Sequence, residues 1–208
     1  MTTDAPDTDD RAARAVHAIL RADALALSLA VGDAQVPVEC EYSETFEGLS
    51  FREMDFGRVT LRNTEWNGCM FEKCTFGVLD GSLFEGCTFV DCNFDRARLE
   101  GVSFDGAVFQ RTSFKGCVVQ DSEWNGVDLT ECVFSDLAFD GVSWDAATLR
   151  GGKLAQISGD ASLSGVTLRD VDVDSFDTSE MTLTGCVASG ATIPDGFDRL
   201  TGRRRRAE

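Results

Sequence analysis

Cysteine is the residue type in this chain with the most chemistry on offer, and its spacing argues against that use. The chain has eight cysteines. A zinc site wants tight pairs such as C-x2-C, and a disulfide framework wants an oxidising compartment. Cys69 and Cys74 stand five apart, as do Cys87 and Cys92, and Cys117, Cys132 and Cys186 fall on the same five-residue grid. Thiols placed this way are expected to be reduced and to pack as small apolar side chains. Cys40 lies off the grid and has no visible role. His17 is the only histidine, so any histidine-dependent triad or metal site would have to use it, and no cluster of nucleophiles surrounds it. Acidic residues are so frequent that no single pair stands out. There is no phosphate-binding loop and no dinucleotide fingerprint, and the Gly-x-Gly-like spacings belong to the grid. The chain is therefore expected to be no enzyme and to carry no cofactor or metal.

The grid itself is the dominant signal. A large apolar residue recurs at Phe46, Phe51, Phe56, Leu61, Trp66, Phe71 and Phe76. The series restarts at Leu79 and runs Phe84, Phe89, Phe94, Leu99, Phe104, Phe109, Phe114, Val119, Trp124, Leu129, Phe134, Phe139, Trp144, Leu149 and Leu154. A third run follows through Leu163, Leu168, Val173, Thr178, Leu183, Ala188 and Ile193. With that residue called i, position i−2 is small or modest (Ser82, Cys87, Cys92, Ala97) and i+2 is often glycine (Gly86, Gly101, Gly106, Gly116). A helix cannot use this pattern, because five residues advance it by about 500° and the apolar positions would drift around it. A plain strand repeats every two residues. A period of five requires a chain that turns one corner per unit and points one large and one small side chain inward, with glycine at the corner where φ is positive. The spacing slips twice, from Phe76 to Leu79 and between Leu154 and Leu163.

Units such as Ala107-Val108-Phe109-Gln110-Arg111 and Val127-Asp128-Leu129-Thr130-Glu131 resemble the pentapeptide-repeat family. The resemblance covers residues 44–195. It implies an all-β fold, a right-handed quadrilateral β-helix with four units per coil, about seven coils and a rod roughly 35 Å long at the usual spacing between strands. On that plan Phe84, Phe104, Trp124 and Trp144 stack along one inner edge and Phe94, Phe114 and Phe134 along another, with Cys87, Cys92, Cys117 and Cys132 filling the small positions. The chain departs from the commonest family form in preferring Phe to Leu and in often lacking Asp or Asn at i−1.

The charge is unusual for a folded domain. The net value is −17, and residues 46–193 carry twenty-four acids against eleven bases. Such a surface repels nucleic acid and favours a protein partner with a basic surface. Salt or solubility adaptation would produce the same composition. On the four-sided plan Glu85, Asp105 and Asp145 share a column with Asn125. Glu100 and Asp140 share another, with Asp121 and Glu123 nearby, and the column Val90, Gln110, Thr130, Arg150 has no acid. Several pentapeptide-repeat members are proposed to imitate B-form DNA on the DNA-binding saddle of type II topoisomerases. The resemblance together with the acidic columns implies DNA gyrase or a related topoisomerase as one partner class, and a rigid protein-interaction or structural scaffold as the alternative.

Solenoid ends need covering. Residues 1–9 are expected to be disordered. Residues 10–43 are expected to form an N-terminal cap, a helix to about Asp23 followed by a hairpin whose arms are Leu25–Val31 and Val36–Tyr42; a longer helix to Ala30 is the alternative. Residues 196–208, with Arg203 to Arg206, read as a basic flexible tail. No stretch is long and apolar enough to span a membrane, and Met1–Asp10 lacks the basic start of a secretory signal, so a cytoplasmic protein is expected. The oligomeric state is left open.

Overall fold

A computed structural model describes residues 38–41, 45–190 and 192–199. Those residues form twenty-one short β-strands and no helix. All pairings are parallel, and most partners lie twenty residues apart, as in Phe109 with Leu129 and Val119 with Phe139. Four five-residue units thus complete one coil, and the chain winds a four-sided parallel β-helix of about seven coils. The first face is centred on Phe46, Trp66, Phe84, Phe104, Trp124, Trp144, Leu163 and Leu183. The second runs from Phe51 through Phe109 to Ala188, the third from Phe56 through Phe114 to Val173, and the fourth from Leu61 through Val119 to Phe139.

The corners explain the period. Positive φ recurs two residues after the central residue, at Gly86 (59°), Gly106 (66°) and Gly126 (65°). The chain takes the same conformation where no glycine is present, at Glu53, Lys73, Asp91, Arg111, Asp136 and Ala146. A left-handed residue at the third position of a turn is what a type II turn requires. Corner amides also join the coils: Gly86 N–H donates to the Asp105 carbonyl (2.9 Å) and Gly106 N–H to that of Asn125 (2.8 Å).

The core is one continuous column of rings and aliphatic chains. Phe84, Phe104, Trp124 and Trp144 are buried in file, as are Phe94, Phe114 and Phe134, and Cys87, Cys92, Cys117 and Cys132 are buried beside them. Phe114 stacks on Phe94 at 4.9 Å and on Phe134 at 4.6 Å, with Phe109 and Trp124 edge-on at 5.4 and 5.3 Å. Each such side chain contributes roughly 1.5–3 kcal/mol by leaving water, and each favourable ring pair about 0.5–1.5 kcal/mol more.

Both slips of spacing are absorbed without disturbing the columns. On the fourth face Leu61 pairs with Leu79, eighteen residues on, because the ladder skips between Phe56 and Thr60. A Cβ on Gly77 would run into the Gly57 carbonyl, so only glycine fits the shortened coil. The second slip lies between Gly159 and Ala161, opposite Phe139 and Val142. There Gly159 occupies the central position and a Cβ would meet the Phe139 carbonyl, while Ile157, at the position normally kept small, is buried. Phe176 repeats this exchange one coil later, bridging to Ile157.

The ends differ from expectation. The cap helix, the first hairpin arm and residues 1–37 lie outside the described residues. Val38–Glu41, assigned to the second hairpin arm, instead pairs parallel with Val59–Arg62 and so extends the rod. At the other end the boundary drawn at 195 falls inside packed chain. Asp198–Arg199 pairs with Val187 and Ala188 after crossing the end of the tube, Phe197 is buried against Phe176, and the Asp195 carbonyl accepts from Thr178 Oγ1 (3.2 Å). Proline and glycine at 194 and 196 let the chain take that short cut where a further coil would have needed the grid to continue. Residues 200–208, with Arg203–Arg206, lie outside the described residues.

Candidate interaction surface

Each unit leaves positions i−1, i+1 and i+2 facing outward, so each face of the rod displays its own set of side chains. Along the first face, from Thr45 to Ala146, these include Glu47, Glu65, Glu85, Asp105, Glu123 and Asp145 and no lysine or arginine. All except Asp105, which is half-buried, are exposed. Its carboxylate accepts from Asn125 N–H (3.1 Å), and the Asn125 amide oxygen accepts from Asp145 N–H (3.1 Å) and Ser143 Oγ (3.1 Å). This ladder fixes the spacing of the acids from coil to coil, at about 4.7–4.9 Å per step.

The fourth face adds Asp80, Glu100 and Asp140, which share one row with Gln120. Asp121 stands at the corner leading from this face to the first and is exposed. Glu100 is held by Arg98 (2.6 Å) and Asp80 by Arg62 (2.8 Å), whereas Gln120 Nε2 donates to Asp140 (3.0 Å). The structure therefore brings Glu85, Asp105, Glu123 and Asp145 onto one base-free face and places Glu100, Asp121 and Asp140 beside it, with Glu100 neutralised. Sequence reasoning missed Glu47 and Glu65, which the same modular count extended by two coils would have found. It also missed the Arg98–Glu100 pair, although residues two apart on a strand share a face.

The second and third faces are balanced. Arg111 grips Asp91 (2.7 Å), and Lys73 reaches Glu53 (3.7 Å). The hydrogen bond from Arg111 holds the Asp91 carboxyl below its ordinary range. Arg52 pairs with Glu72 (3.2 Å) and Arg150 with Asp128 (3.8 Å). Val90, Gln110, Thr130 and Arg150 lie in one register and carry no acid among them, and one coil earlier the row holds Glu72, paired with Arg52. Charge is thus segregated around the rod, with acids alone on one side and paired charges on the other.

The thiols serve the interior. Burial pushes the Cys117 thiol up to about 12 and the Cys132 thiol up to about 11. Cys117 Sγ donates to the Phe94 carbonyl (2.8 Å). Among the described residues no three His, Cys, Asp or Glu side chains converge as a metal site requires. His17 lies outside the described residues.

Residues 78–118 match the family model described as pentapeptide repeats (9 copies). Over those residues the chain carries pentapeptide repeats. No curated protein matches it in sequence. Among solved structures, a trypsin-treated form of QnrB1, described as a plasmid-mediated fluoroquinolone resistance protein, is 17% identical over 73% of this chain and 88% of that chain, with a TM-score of 0.36. The pentapeptide repeat protein Rfr23 from the cyanobacterium Cyanothece 51142 is 13% identical over 73% of this chain and 87% of its own, with a TM-score of 0.33. HetL, a pentapeptide repeat protein involved in heterocyst differentiation regulation from the cyanobacterium Nostoc, is 13% identical over 69% and 84%, with a TM-score of 0.32. Likeness at this level carries no inference about a shared partner.

Proposed function

We propose that the pentapeptide-repeat rod binds a protein through its first face, in the manner of a B-form DNA segment presented to the DNA-binding saddle of a type II topoisomerase such as DNA gyrase. The observation that supports this reading is the unbroken series Glu47, Glu65, Glu85, Asp105, Glu123, Asp145 without a single base. A coat that served solubility alone would have no reason to leave one side purely acidic while the other sides pair their charges. Asp140 and Asp121 widen the strip. Its role is to occupy a basic groove and so to modulate supercoiling or shield the enzyme from poisons. Charge of one sign also accelerates encounter with a basic surface, and the effect weakens with salt.

The test is a supercoiling assay with purified gyrase in low salt. The wild-type rod is expected to alter supercoiling at micromolar concentration. The quadruple variant Glu85→Gln, Asp105→Asn, Glu123→Gln, Asp145→Asn is expected to lose most of that effect, while Arg150→Ala on the balanced side keeps it. If wild type has no effect, the topoisomerase reading is removed. A rigid scaffold for another basic protein then takes its place on the same face, to be identified by a pull-down that the quadruple variant abolishes.

A further inference from the structure

We propose that Cys69–Cys87 and Cys74–Cys92 are two oxidisable thiol pairs that close as disulfides and staple the second coil of the rod to the third. Met70 is in register with Thr88, and Thr88 N–H donates to the Cys69 carbonyl (2.8 Å), which sets Cys69 and Cys87 side by side on adjacent strands. Thr75 is in register with Asn93, and Asn93 N–H donates to the Cys74 carbonyl (2.9 Å), which does the same for Cys74 and Cys92. Neighbouring strands lie about 4.7–4.9 Å apart, within the range of roughly 4.4–6.8 Å that a disulfide spans between Cα atoms. In each pair both thiols are free and buried.

The other described thiols have no such neighbour. Cys117 stacks between Ala97 and Leu137, Cys132 between Thr112 and Gly152, and Cys186 on Val166. Among the described side chains sulfur is paired only between these two coils. Cys87 Sγ donates to the Trp66 carbonyl (3.1 Å) and Cys92 Sγ to that of Phe71 (3.3 Å), and the neighbouring thiol lowers Cys69 and Cys74 below the ordinary thiol value against the opposing effect of burial.

The oxidant is a hydroperoxide. The Cys69 thiolate attacks the peroxide oxygen, the O–O bond breaks, and a sulfenic acid forms as hydroxide leaves and takes up a proton to become water. The Cys87 sulfur then attacks the sulfenic sulfur, its proton leaves with the departing hydroxyl as water, and the S–S bond forms. Two thiols and one hydrogen peroxide give one disulfide and two waters, and an external thiol reverses the reaction. All four thiols are buried, so oxidation proceeds through opening of the N-terminal coils, and closure of the staples then stops unzipping at the second coil.

Full-length protein is treated in native buffer with hydrogen peroxide, alkylated and mapped by mass spectrometry without reduction. The expected result is two links, 69–87 and 74–92, reversed by dithiothreitol, with a melting temperature several degrees higher in the linked form. Cys87→Ala is expected to lose only the first link and Cys92→Ala only the second, whereas Cys117→Ala loses neither. Ala107 occupies the position in register with Cys87 one coil on, so alanine is compatible with that site. Links that involve Cys117, Cys132 or Cys186, sulfinic or sulfonic products without links, or reaction only after unfolding in guanidinium would each overturn the proposal.

Discussion

From Phe46 to Trp144 three of the four inner columns are lined by rings except at Leu129, whereas from Leu149 onward the same positions hold Leu149, Leu154, Leu163, Leu168, Val173, Leu183 and Ala188. The backbone plan is unchanged between the two regions, so hydrogen bonding between coils cannot distinguish them. What changes is the filling. In the ring-lined coils an inner aromatic can meet a stacked partner above and below and an edge-on partner to the side, as Phe89 does with Phe71, Phe109 and Phe84. In the last coils Met181, Leu183 and Ile193 are only partly buried, and Phe197 closes the tube from outside the grid. The solenoid therefore has a stiff body and a softer C-terminal end, and stability is expected to be graded along its axis.

The sharpest way to break that comparison is truncation of a ring against truncation of a late aliphatic. Phe114→Ala is expected to cost about 3–5 kcal/mol and Leu183→Ala only about 1–2 kcal/mol, measured by urea unfolding. Equal losses would show that the two regions share one stability. A second test is alkaline pH. The Cys117 and Cys132 thiols titrate at about 12 and about 11 in the folded chain against an ordinary value of 9.0. Their folded pKa values lie above the unfolded one, so their contribution is fully present below about pH 9 and is lost as pH rises toward 11–12, at roughly 1.4 kcal/mol per pH unit per thiol. The double variant Cys117→Ala, Cys132→Ala should flatten the fall in melting temperature above pH 9.

A smaller effect concerns the indoles. Trp66 Nε1 donates to Thr64 Oγ1 (2.9 Å), which in turn is bonded to Ser82 (2.8 Å), whereas the buried Nε1 atoms of Trp124 and Trp144 meet no acceptor. Trp66→Phe is expected to cost about 1 kcal/mol more than Trp144→Phe, since only the former loses a hydrogen bond. Calorimetry of the two variants checks this. The smallest change expected is at a corner: Ala146 sits at φ 55°. Ala146→Gly should stabilise by less than about 1 kcal/mol, because relief of left-handed strain is offset by the greater freedom of glycine in the unfolded chain.

The columns Phe84 to Trp144 and Phe94 to Phe134 were legible in the sequence because period five, counted in fours, fixes which side chains share an edge. The acidic face was legible by the same count. The corner conformation of Glu53 or Lys73 was not, because residue type does not dictate positive φ there and the stacked coils impose it. The exchange of bulk between Ile157 and Gly159 was hidden because the count assumes that the large residue always stands at i. Alternation over Val36–Tyr42 announces a strand but is silent about whether its neighbour runs parallel or antiparallel. Residues 194–199 carry no period at all, so their closure over the tube had no sequence signature beyond Pro194 and Gly196.

The shortened coils at Gly77 and Gly159 have a consequence for how such a rod can change over time. Loss of one or two residues is swallowed at a corner, and everything downstream keeps its compass bearing. Adding a whole five-residue unit, for example after Leu129, would leave every large side chain inside and yet swing all later surface groups by a quarter turn. Glu123 and Asp145 would then point in different directions. Fold and recognition thus obey different arithmetic in this chain: the interior counts in fives, while the acidic stripe survives only in twenties.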